Sequence, residues 1–219
     1  MTRCIDLSHT IHDGVITHKG LPAPRICDFL SREASCANYA EGTEFQIARI
    51  EMVANTGTYI DCPFHRFADG KDLSEVSLER FVDLPAIVVR APHQKFTEIG
   101  IRFFEEIDVS GKAVLVHTGW SALWNTPEYQ NGHPFLTGEA AVYLREHRAL
   151  LVGIDSHNID DTGERNSRPV HTELLAHGIL IVEHLRNLEE LPEGPVLFSA
   201  IPPKIKGCGT FPVRAFARI

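Results

Sequence analysis

No run of about 18 apolar residues occurs in this sequence, so it contains no helix able to span a membrane. The opening residues, Met1 to Asp6, lack the apolar stretch of a secretory signal. Basic clusters are missing too. With 21 Lys and Arg against 29 Asp and Glu, the formal charge is -8. That argues against nucleic acid, which needs grouped cations to release its counterions. It leaves room for an anionic small molecule, because a pocket can differ from the net field. Cysteine is scarce: five residues, an odd number, with no C-x-x-C spacing. This excludes a disulfide framework and a four-cysteine zinc site, and it points to a reducing cytoplasm. No low-complexity linker divides the chain, so residues 1–219 are expected to form one domain.

What remains is ordinary in bulk, with 43% hydrophobic and 23% charged residues, but twelve histidines stand out. Residues 4–11 and 45–53 carry the alternation of strands. Residues 12–14 form a turn signal, and the Gly/Pro-rich loop 15–24, tipped by His18 and Lys19, could lie over a pocket. Apolar runs at 86–91, 113–118, 150–154 and 179–182 read as buried strands, and 196–202 and 213–219 as the last strands. Helices are expected at 74–81, 97–107, 137–147 and 171–176. Strands alternating with helices in the middle, after a strand-rich start, predict an α/β domain with a mixed central sheet closed towards a barrel and flanked by helices. Asn55, His117, Asp155 and Glu183 fall at strand ends, where α/β folds place ligands.

The densest stretch is Asn55-Thr56-Gly57-Thr58-Tyr59-Ile60-Asp61-Cys62-Pro63-Phe64-His65. Pro63 argues against a helix joining Asp61 to His65, and Gly57 permits a tight turn or a close approach. Glu183 ends a very apolar strand, where a lone buried acid is costly and so needs a cation or donors. His171 precedes it on a short helix. Asp, His and Glu together suit a divalent metal of the zinc or manganese kind, and His65 could shuttle a proton beside it. Cys62 has no base spaced to activate it and reads as a buried thiol, and Asp155 as a structural carboxylate. His157 could line the pocket.

These residues resemble a family of metal-dependent hydrolases, the cyclase family, which includes bacterial kynurenine formamidases and isatin hydrolases. Its motif is His-x-Gly-Thr-His-x-Asp-x-Pro-x-His, and the chain has Asn55-x-Gly57-Thr58-Tyr59-x-Asp61-x-Pro63-x-His65 in that place. His171 followed by Glu183 at a strand end, Gly153-Ile154-Asp155-Ser156 and Thr118-Gly119-Trp120 match as well. The resemblance implies a swivelling β/β/α domain assembled as a homodimer or homotetramer. It implies His65 as general acid and base, and one divalent metal, zinc or manganese, on Asp61, His171 and Glu183. Where the formamidases place two further histidines on a second metal, this chain has Asn55 and Tyr59, poorer ligands for zinc. These two are expected instead to hydrogen-bond substrate or to hold His65. The family's substrate-lining aromatic falls near His18.

Three functions follow as alternatives. The first is hydrolysis of a C–N bond in a small amide, formamide or lactam by metal-activated water. The second is metal-free cyclisation, dehydration or lactone chemistry through His65 and Glu183. The third is small-ligand binding without turnover.

Overall fold

The computed structural model describes residues 3–163 and 167–219. In chain order it forms β1 (Cys4–Asp6), β2 (Arg25–Leu30), the single-turn helix α1 (Arg32–Ser35), β3 (Ile47–Glu51), β4 (Tyr59–Asp61), β5 (Leu84–Arg90) and β6 (Glu98–Ile99). There follow β7 (Ala113–His117), β8 (Phe135–Leu136), α2 (Gly138–Glu146), β9 (Leu151–Ile154), α3 (Pro169–Ala176), β10 (Leu180–Glu183), β11 (Val196–Ser199), β12 (Thr210–Pro212) and β13 (Phe216–Arg218).

Nine strands make one mixed sheet in the order β1-β13-β11-β5-β7-β9-β10-β4-β12. Its centre, β5-β7-β9-β10, is parallel, and these are the near-continuous apolar runs that a sheet covered on both faces requires. The flanks are antiparallel. Only Val213, Arg214 and Ala215 separate β12, at one edge, from β13, beside the other edge, so the sheet must curl back on itself. A Ser8–Leu185 bridge ties the end of β1 to the end of β10 and confirms the curl. The expected α/β domain with a sheet closed towards a barrel is present.

Side chains alternate across this sheet and give it two cores. Leu115, Leu151, Leu180, Val182 and Ile60 point into the curl. Val114, Val116, Val152, Ile154 and Ile181 point outward and pack under α2 and α3. Thr137 caps α2 by accepting a hydrogen bond from the Ala140 amide, the capping expected from its spacing.

Several local expectations differ. Residues 97–107 are not a helix. Glu98–Ile99 pairs in parallel with Phe135–Leu136, and only a 3-10 turn, Ile101–Phe103, follows. Gly100 breaks the helical pattern, and pairing with β8 captures the residues before it. The helix expected at 74–81 shrinks to the turn Leu78–Arg80. Arg25–Leu30, too weakly patterned to read as a strand, pairs with β3 in a separate two-stranded ribbon. β3 is exposed along its whole length rather than half-buried.

Candidate metal and catalytic site

The site is a consequence of strand register. β4 lies between β10 and β12, with Tyr59 opposite Glu183 and Thr210 opposite Asp61. Ile60 and Cys62 point into the curl. Tyr59 and Asp61 therefore point to the other face, beside Glu183 and under α3, which carries His171.

Asp61 is fully buried. Its Oδ1 accepts a 2.5 Å hydrogen bond from the Thr210 hydroxyl. With that proton committed, the Thr210 oxygen accepts from His65 Nδ1 at 2.7 Å. Nδ1 is thus committed and Nε2 is the uncommitted ring nitrogen of His65. Pro63 starts the 3-10 turn that presents His65 beyond the end of β4, and Gly209 lets β12 approach the His65 backbone where any Cβ would overlap it. Gly57, at φ +67°, stands where a Cβ would meet Ile11 at 2.8 Å, so the turn before Tyr59 accepts only glycine.

His171 is set by Asp160. α3 has no side-chain cap of its own, and the Asp160 carboxylate accepts from the Val170 amide at 2.8 Å and the His171 amide at 2.9 Å. The same carboxylate takes His171 Nδ1 at 2.6 Å. Nε2 is left facing Asp61 Oδ2 at 3.6 Å and Glu183 Oε1 at 3.7 Å. Burial works against charge on His171, but the hydrogen bond to Asp160 and the close Asp61 and Glu183 carboxylates outweigh it and push it up to about 10. Burial also works to raise Asp61, and here the nearby His171 and His65 rings and the Thr210 hydroxyl hold it below the usual carboxylate range. Glu183 ends above that range, mainly through burial, with the Asp61 charge adding to it.

The Tyr59 hydroxyl donates to Glu183 Oε2 at 2.5 Å and meets His18 Nε2 at 2.8 Å. The Ile159 amide and the Asn158 side chain complete the bonding of Glu183 at 2.6 and 3.3 Å. Burial and the Glu183 charge drive the Tyr59 phenol well above its ordinary value, so it stays neutral.

A cleft of about 330 Å³ opens over this face, lined by His18, Leu21, Asn55, Tyr59, His65, Arg66, Asn158, Arg168, His171 and Glu183. The structure thus brings together Asp61, His65, His171, Glu183, Asn55, Tyr59 and His18. Two expectations are corrected. His157 stands behind His18, ring centroids 4.7 Å apart, and is not part of the cleft wall. Thr210, not Asn55 or Tyr59, holds His65. Asp155 anchors the Thr118-Gly119 turn through three hydrogen bonds of 2.6–2.8 Å, a structural carboxylate as expected, and Cys62 is a buried thiol. Sequence reasoning missed Thr210, Asp160 and Asn158. An uncapped helix starting at Pro169 was a signal that a distant acid must serve it; Thr210 carried no signal of its own.

The Cyclase family profile matches residues 5–161. The chain belongs to the cyclase family. Among cyclase-family relatives, the kynurenine formamidase of Geobacillus thermodenitrificans is 32% identical over 182 residues, 83% of this chain and 84% of that one. The kynurenine formamidase of Bacillus cytotoxicus is 28% identical over 215 residues, 98% of this chain and 96% of that one. A solved structure described as a potential metal-dependent hydrolase with cyclase activity superposes with a TM-score of 0.81 at 26% identity, over 100% of this chain and 98% of the other. Isatin hydrolase A from Ralstonia solanacearum shares the cyclase fold at a TM-score of 0.83 and 23% identity, over 100% and 92% of the two chains.

Proposed function

We propose that this cyclase-family protein is a metal-dependent hydrolase that cleaves a C–N bond in a small amide, formamide or lactam. The observation that carries the reading is Asp61 Oδ2. It is buried, has no hydrogen-bond partner among the described residues, and faces the correctly oriented Nε2 of His171. The His171 ring stands 3.6 Å away, too far for a hydrogen bond, and a bound cation in place of the Nε2 proton would complete this carboxylate oxygen. Two ligands about 2.1 Å from a tetrahedral ion stand about 3.4 Å apart, close to the observed 3.6 Å. Asp61, His65 and His171 offer ligand atoms mutually within 4.8 Å, and Glu183 approaches the same His171 nitrogen. Asp61 and His171, with Glu183 beside them, would hold zinc or manganese. When bound, such an ion supplies Lewis acidity, making water a stronger acid and polarising a carbonyl.

The residues of the chain supply the rest. His65 Nε2 takes the proton from the attacking water and returns it to the leaving nitrogen, while Nδ1 stays fixed on Thr210. Tyr59 holds Glu183 and remains neutral. Arg66 and Arg168 place positive charge at the cleft wall and favour a substrate carrying an anionic group. Five free thiols fit a reducing cytoplasm, and the described residues contain no helix long and apolar enough to cross a membrane.

Protein purified without chelator, assayed for metal and against a panel of aryl formamides and lactams, tests the reading. Asp61→Ala and His171→Ala are expected to lose both metal and turnover, and His65→Gln turnover alone. Turnover that persists unchanged after the metal is stripped would overturn it in favour of metal-free acid–base chemistry.

We further propose that the protein self-associates through the β2–β3 ribbon. Phe29, Phe45, Ile47 and Ile50 are 74%, 51%, 48% and 57% exposed there, apolar side chains on both faces of the ribbon that a second copy clasped by it would cover.

A further inference from the structure

Behind the cleft wall, three histidines from three distant segments converge. His18 comes from the loop after β1, His157 from the turn after β9 and His184 from the end of β10. One ring nitrogen of each lies within 4.8 Å of the other two. The rings are 4.7 Å (His18–His157), 5.1 Å (His18–His184) and 5.7 Å (His157–His184) apart, centroid to centroid. None of these residues belongs to the Asp61–His171 group, and the Tyr59 ring stands between the two clusters, 5.1 Å from His184.

His184 and His157 each keep an uncommitted nitrogen, while His18 Nε2 is held by the Tyr59 hydroxyl at 2.8 Å. Tyr129 holds His184 Nδ1 at 2.8 Å, which leaves Nε2 pointing at His18 Nε2 at 3.4 Å. His157 is 6% exposed, and its buried Nδ1 has no hydrogen-bond partner among the described residues. A buried imidazole nitrogen left unpaired is unusual and needs an occupant. His133 packs beside His157, but its Nε2 is committed to the Asp160 carbonyl at 3.0 Å, so it does not compete. Burial favours the neutral, ligating form of His18 and His157, pulling them down to about 4 and about 3.

We propose that His18, His157 and His184 form a second divalent-cation site, separate from Asp61 and His171 and suited to zinc. Three neutral nitrogens without a carboxylate match zinc or cobalt and discriminate against magnesium and calcium. To bind, His18 moves its proton from Nε2 to Nδ1 and gives up its bond to Tyr59, which keeps its bond to Glu183. The ion then clamps the loop holding His18 to the ends of β9 and β10, fixing the rim of the cleft. Zinc binding at this cluster does not depend on what the cleft hydrolyses.

Metal-free protein titrated with Co²⁺ and Zn²⁺ tests the site. Wild type is expected to take two equivalents. The Asp61→Ala/His171→Ala protein should keep one, with an X-ray absorption spectrum of imidazole nitrogens at about 2.0–2.1 Å. Adding His18→Ala to that background should weaken the remaining site at least tenfold, in line with the loss of one ligand. No binding by Asp61→Ala/His171→Ala, or unchanged affinity after His18→Ala, overturns the proposal. If the double variant does not fold, His18→Ala alone decides: it should lose one of two equivalents, and retention of both refutes the site.

Discussion

Tyr59 and Glu183 face each other directly across the β4–β10 pair, joined by a 2.5 Å hydrogen bond from phenol to carboxylate. This bond makes ionised Glu183 tolerable in a fully buried position. Tyr59→Phe keeps the ring and removes the donor, leaving Oε2 with Asn158 alone. The expected loss is about 1–3 kcal/mol of stability. At about 2–4 °C per kcal/mol for a chain of this size, melting should fall by roughly 2–12 °C. The sign follows from Glu183, whose folded pKa lies above its unfolded value: stability is greatest while it is protonated and falls as pH rises through the folded pKa. The gap between Tyr59→Phe and wild type, measured on metal-free protein, should therefore be wider at pH 8 than at pH 4. An equal gap at both would show that Glu183 does not depend on Tyr59.

Thr210 joins Asp61 to His65 by two short hydrogen bonds. Thr210→Val removes both without changing side-chain shape much. His65 would then be free to turn and to exchange its tautomer. We expect turnover to fall about 10–100-fold, a partial loss of the roughly 100–10,000-fold that a general base contributes, while bound metal stays stoichiometric. Kinetics beside elemental analysis would separate the two effects, and turnover at the wild-type level would remove Thr210 from the machinery.

The parallel centre of the fold was legible because β5, β7, β9 and β10 are buried on both faces and so are apolar throughout. Glu183 stood out because a lone acid ending an apolar strand is expensive, and Asp61, His65 and His171 because they match the motif of the family the chain resembles. What could not be read is what pairing decides. Thr210 enters the site only because β12 pairs with β4 in one register, and its strand is too short to show a period. Asp160 serves a helix nine residues away, which local capping patterns do not anticipate. His157 went to the wrong side of His18 because the turn after β9 has no periodicity to give its direction.

The β2–β3 ribbon offers a test of assembly. Its apolar side chains are exposed on a two-stranded element, which is marginal by itself in water. A second copy covering it would remove that surface from solvent and complete the ribbon. Phe29→Asp with Ile50→Asp is expected to convert a dimer or tetramer to monomer in light scattering, with the secondary structure of the main sheet unchanged. A wild-type monomer at micromolar concentration would refute the interface.

Asp160 holds both the start of α3 and the Nδ1 of His171. Asp160→Asn keeps the size and loses the charge. Second acceptors of this kind typically set metal affinity by 10–100-fold, and a loss of that order is expected. Isothermal titration against the metal-free variant measures it, and an affinity equal to wild type would mean that His171 is oriented by α3 alone.

His171 holds its proton up to about 10 without metal, because Asp160, Asp61 and Glu183 surround it. A raised pKa stabilises the fold fully below the unfolded value of 6.5, and that contribution is lost as pH rises through about 10. A metal must displace the same proton from Nε2. Affinity at the Asp61–His171 site should therefore climb roughly tenfold per pH unit between about 7, above which Glu183 is ionised, and about 10, and then level off. Titration in buffers of different ionisation enthalpy should count close to one proton released per ion at pH 7.5. Affinity independent of pH, with no proton released, would show that the ion sits elsewhere. In Asp160→Asn the plateau should begin at lower pH, because His171 then gives up its proton more readily.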